Sequence, residues 1–101
     1  MNFADTLKTL PEVTGDKIVL TDATGVEVAT IANAPGTAGS FQVYAHLARQ
    51  YGVIDAEAAA EGLAIFAEHT EDASLQPGRH PNIDRLIAIL ATGAPLSARV
   101  I

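Results

Sequence analysis

The sequence predicts an α+β fold: a small, mostly antiparallel three-stranded sheet, made of a hairpin plus a C-terminal strand and covered by helices, in the order α-β-β-α-α-α-β. Three observations predict it. Apolar residues alternate through Lys17–Ile31 and again through Leu96–Ile101, they recur at helical spacing between Phe41 and Leu90, and glycine or proline marks the changes of period.

Taken in order, residues 2 to 10 read as a short helix with Phe3, Leu7 and Leu10 at helical spacing, ended by Pro11 and lying on the core like a lid. Lys17 to Thr21 alternates as a half-buried strand, with Ile18 and Leu20 on one face and Val19 on the other. Asp22-Ala23-Thr24-Gly25 carries the chemistry of a type I turn with a bulge, and Val26 to Ile31 returns as the second strand. Past the glycine-rich stretch Asn33 to Ser40, Ser40 is the expected N-cap of a helix over Phe41 to Tyr51, with Gly52 as its stop.

Asp55 is the expected cap of a third helix that runs to about Glu71, its main stripe being Ala56, Ala59, Ala60, Leu63, Phe66 and Ala67. Pro81 opens a fourth helix at a first helical position. There Ile83, Leu86, Ile87, Ile89 and Leu90 cover so much of the circumference that this should be the most buried element. Gly93 and Pro95 end it, and Leu96 to Ile101 adds the third strand to the hairpin.

A chain of 101 residues fits one domain, 1–101, because surface-to-volume scaling leaves no room for a second core. With three Phe, two Tyr and no Trp, that core should be aliphatic, which argues against a ligand site built on stacked aromatics. The absence of cysteine excludes disulfides, thiolate zinc sites and a cysteine nucleophile. Asp5 and Lys8 interrupt the first ten residues, so no signal-peptide core forms, and no apolar run approaches the roughly 18 residues of a membrane span. The expectation is a cytoplasmic chain with no membrane association. A net charge of −6, with Asp55, Glu57, Glu61, Glu68, Glu71 and Asp72 clustered and no Lys or Arg among them, repels phosphate backbones and argues against nucleic acid as a partner.

Two segments carry candidate chemistry. The loop Gly36-Thr37-Ala38-Gly39-Ser40 precedes a helix, and such loops can aim backbone N–H groups at an anion. It lacks the lysine of a phosphate-binding P-loop, and a plain turn with a capping serine explains the same residues. The second segment is Glu68 to Asp72 followed, after a Pro77-Gly78 turn, by Arg79 to Arg85. His69, Asp72, Arg79, His80, Asn82, Asp84 and Arg85 are its candidate ligands for a small molecule or a metal. Two imidazoles and a carboxylate would suit zinc or another transition metal, although the spacing matches no compact ligand motif. The plainer reading is that His80 or Asn82 braces the start of the fourth helix while the arginines pair with the acidic face.

A third feature is apolar surface left over. Val19, on the strand face opposite Ile18 and Leu20, and Ala58 and Ile65, off the main stripe of the third helix, are the candidate interface residues for a second copy or a protein partner.

The stretches Ala67-Glu68-His69-Thr70-Glu71-Asp72-Ala73 and Pro77-Gly78-Arg79-His80-Pro81-Asn82-Ile83-Asp84-Arg85-Leu86, together with Ile31 to Ser40, resemble a family of short bacterial proteins catalogued as domain of unknown function 2322. The resemblance covers nearly the whole chain. It implies a bacterial, cytoplasmic setting and carries no assigned activity, cofactor or catalytic residue.

The sequence by itself leaves the function unknown and favours a small cytosolic interaction module that self-associates, with no cofactor implied and the balance against an enzyme. The alternative is a small-ligand or metal-binding protein using His69, His80, Asp84 and Arg85.

Overall fold

The computed structural model describes residues 2–101. Helix α1 (Phe3–Leu7) is followed by strands β1 (Lys17–Thr21) and β2 (Glu27–Ala32). Helices α2 (Ala38–Tyr51), α3 (Ala56–Phe66), α4 (Glu68–Leu75) and α5 (Pro81–Thr92) come next, and β3 (Ser97–Val100) closes the chain. The sheet is antiparallel throughout in the order β2-β1-β3, so the α+β reading and the docking of the last strand onto the hairpin both hold.

The hairpin turn forms for the reason its residues suggest. Asp22 Oδ1 accepts from the Thr24 and Val26 amides and from the Thr24 hydroxyl, Gly25 takes φ 86°, and the register slips between Leu20 and Thr21. Those bonds hold the Asp22 carboxyl below its usual range, the Thr24 hydroxyl contributing most.

Helix α2 lies across the inner face of the sheet and touches all three strands, while α3 packs on the far side of α2 and α5 packs against α3. This layering buries Phe41, Val43, Tyr44, Ala45 and Leu47, which makes α2 rather than α5 the most enclosed helix. On α5 only Ile83, Leu86 and Ile89 are buried, and Leu90 faces solvent. A two-residue bridge between Ile54 and Leu96 ties the α2–α3 connection to the start of β3.

Four further expectations change. Helix α1 is a single short turn, its chain passing through turns to Leu10 instead of continuing as helix. Helix α2 starts earlier than Ser40 because Thr37 is the N-cap, its hydroxyl donating back to Ala32 O at 2.7 Å. The long third helix breaks at Ala67, which sits at φ 50°, ψ −113°, a sparsely populated conformation that costs a non-glycine residue about 1–3 kcal/mol. The Thr70 hydroxyl donates to Leu63 O at 2.6 Å across the break, and α4 turns to pack on α5.

The fourth change concerns the three candidate interface residues. Val19, Ala58 and Ile65 are 7%, 0% and 7% exposed. Val19 sits on the central strand with Thr30 and Arg99 as cross-strand neighbours on either side, so flanking side chains cover it. Ala58 and Ile65 are enclosed because α3 has neighbours on several flanks, α1, α2, α4 and α5. No helix among the described residues is long and apolar enough to cross a membrane.

Candidate ligand-binding cavity

The two polar segments meet. A cavity of about 490 Å³ opens where the first turns of α2 and α5 and the last turn of α3 come together, and Gly36, Thr37, Gly39 and Ser40 form one wall of it. His69, Arg79, His80 and Asn82 form the facing wall, with Pro81 and Ile83 beside them. Phe3 from α1 and Phe66 from α3 complete the lining, their rings stacked at 5.1 Å between centroids with 22° between planes.

Several of the lining residues are held by partners that do not line the cavity. Phe3 is held by its own amide, which donates to Glu68 Oε1 at 2.8 Å, and by an edge-on contact with His69 at 5.3 Å. Accepting that amide is the main reason the Glu68 carboxyl titrates below its usual range. Gly39 lets α1 approach: a Cβ there would stand 3.3 Å from Phe3 Cζ and 3.6 Å from Leu7 Cδ2.

Opposite, the His80 ring nitrogen Nε2 lies 2.6 Å from Asp72 Oδ2, and the rings of His69 and His80 are 5.9 Å apart. The hydrogen bond from His80 is the leading cause that lowers the Asp72 carboxyl, with Arg79 adding to it across a 3.8 Å ion pair. Arg79 also donates to Gln76 Oε1, and its side chain is 62% exposed. The break at Ala67 matters here, since it turns the first residues of α4 so that His69 reaches the cavity and Asp72 reaches His80.

The start of α5 is pinned to the core by Tyr44. Its buried hydroxyl donates to Asn82 O at 2.5 Å and accepts from Arg85 Nη1 at 3.2 Å, while the same Arg85 nitrogen donates to Asn82 Oδ1 at 2.9 Å. Burial pushes the Tyr44 hydroxyl up to about 12, so it remains a neutral donor at any physiological pH.

Of the residues singled out from sequence, Asp84 and Arg85 do not line the cavity. Asp84 Oδ2 accepts from the Gly78 amide at 2.8 Å and closes the turn before α5, and Arg85 serves Tyr44 and Asn82. Asp72 orients His80 from behind, and Val19, Ala58 and Ile65 are buried elsewhere. Sequence reasoning missed Phe3, Phe66 and Ile83 as lining residues. Their helical spacing marked them as apolar, and an apolar residue at a helix end gives no sign of whether it meets a neighbour or a void. The third histidine, His46, lies elsewhere, with Nε2 2.8 Å from Glu61 Oε2 while Tyr51 donates to Glu61 Oε1.

Among the described residues no group of three or more His, Cys, Asp or Glu side chains is arranged to hold a metal ion.

A family model described as an uncharacterized protein conserved in bacteria (DUF2322) matches residues 3–100, and the chain belongs to that family. No curated protein and no solved structure matches it.

Proposed function

We propose that this member of the family is a small-molecule-binding protein whose site is the cavity between α1 and the first turns of α2 and α5. One observation carries the reading. Two polar segments far apart in the sequence, Gly36–Ser40 and His69–Asn82, line a single concavity with an aromatic pair between them. At about 490 Å³ the space is within the range of roughly 300–1,000 Å³ typical of ligand pockets. Its polar groups sit on helix termini braced by Tyr44, Asp72 and Glu68, the pre-organised arrangement that binding sites need. Val19, Ala58 and Ile65, the residues named for a self-associating interaction module, are buried, which leaves that reading with less support than the cavity.

The test is native mass spectrometry of the protein as purified, joined to a thermal-shift screen against a broad library of cellular small molecules. The expected result is a retained mass or a saturable rise in melting temperature that Ser40→Trp, which places a large ring at the cavity wall, abolishes while remaining folded by circular dichroism. No retained mass and no shift from any compound would end the proposal.

A further inference from the structure

Resting on the cavity as a binding site, we infer that its ligand is a small amphiphilic anion: a phosphate or carboxylate head joined to a compact apolar body. The sign of the lining carries the argument. The chain holds twelve Asp and Glu against six Lys and Arg, so a wall drawn at random would be acidic. Yet the lining contains Arg79, His69 and His80 and not one carboxylate.

Two acids that bond to lining residues are turned to other work. Glu68 holds the Phe3 amide, and Asp72 stands behind His80 and Arg79, fixing both without facing the cavity. Both carboxylates lie outside the lining, which leaves the Arg79 guanidinium as the one permanent charge among the lining residues, and it is positive. The arginine matters most, because a planar guanidinium is always charged and pairs with phosphate or carboxylate through two parallel hydrogen bonds.

The neutral donors agree in sign. The Gly39, Ser40 and Asn82 amides belong to cavity-lining residues in the first turns of α2 and α5 and find no acceptor among the described residues. On the other side, Phe3, Phe66 and Ile83 offer an apolar surface to the body of the ligand, which a bare inorganic anion would leave unused.

The experiment is a titration of the 15N-labelled protein, followed by amide chemical shifts, with four probes: phenyl phosphate, inorganic phosphate, benzyl alcohol and benzylammonium. Phenyl phosphate should move the Gly39, Ser40 and Asn82 amides saturably and bind roughly tenfold or more tightly than benzyl alcohol, the factor expected from one charge-assisted hydrogen bond. Inorganic phosphate should move the same amides more weakly. Arg79→Ala, at a mostly exposed side chain whose loss leaves the fold intact, should remove the tenfold advantage without changing the benzyl alcohol affinity.

If benzyl alcohol or benzylammonium binds there as well as phenyl phosphate, the anion assignment is overturned while the cavity remains a binding site. If Arg79→Ala binds phenyl phosphate like the wild type, the assignment of the anionic head is overturned. If no probe perturbs these amides, the anion fails, and a blank library screen as well would remove the binding site itself.

Discussion

The same three helices behave differently at their two ends. Around Gly62, α2, α3 and α5 are in closest approach: a Cβ on Gly62 would stand 2.8 Å from both Leu47 Cδ1 and Leu86 Cδ1, and both leucines are fully buried. A turn farther along α3, at Phe66, α2 and α5 begin and the helices part to leave the cavity, into which Phe3 is inserted from α1. Small residues at Ala58, Ala59 and Gly62 allow the tight end, and a large ring at Phe66 with a turn immediately after it opens the other. Close packing secures the fold, and the loosened end offers polar groups to a ligand.

Substitutions can break this contrast. The largest effect is expected at the tight end, where Leu86→Ala should cost about 2–5 kcal/mol in urea unfolding, since three close-packed helices cannot collapse into the void. A loss under about 1 kcal/mol would mean that the helices are not locked there. An intermediate effect is expected where the two ends are joined. Tyr44→Phe should lower stability by about 1–2 kcal/mol, because it strips the hydroxyl from the Asn82 carbonyl and from Arg85 while keeping the ring. It should also broaden the amide signals of His80 and Asn82 more than those near Gly62.

The smallest effect belongs to the open end and shows only in acid. Asp72 is held below its ordinary value of 3.8 in the folded chain. In the window beneath 3.8 the unfolded chain therefore binds more protons, so this stabilisation is fully present above that value and is lost as pH falls through the folded pKa. Asp72→Asn should consequently flatten the stability profile below 3.8 in acid-unfolding measurements and leave its slope above unchanged. Equal acid limbs in variant and wild type would show that the bond to His80 carries no stability.

How much of this was legible in the sequence follows the reach of each signal. The hairpin, the Asp55 cap and the stops at Gly52 and Gly93 are local, and the residues that announce them form them. The break at Ala67 is not local. Nothing about Ala-Glu-His suggests a left-handed residue, and the reversal is held by the Thr70 hydroxyl and by packing against α5. The burial of Val19 likewise depends on strand order, because a central strand is covered from both sides by neighbours that the sequence does not identify. As for the site, each polar segment stood out by composition, but their meeting depends on where α3 ends and where α1 lies. A few aromatics sufficed: the stacked pair of Phe3 and Phe66 was not expected of a chain with three phenylalanines.

The bond from the Phe3 amide to Glu68 has a practical corollary for anyone handling the protein. Asn2, the N-cap of α1, stands next to the lining residue Phe3, so a purification handle attached ahead of it would start beside the cavity and would be expected to crowd the opening. The other terminus is the safer place. Ile101 exchanges main-chain bonds with Asp16 and Lys17 at the sheet, away from the cavity lining, and a peptide extension would leave that carbonyl an acceptor.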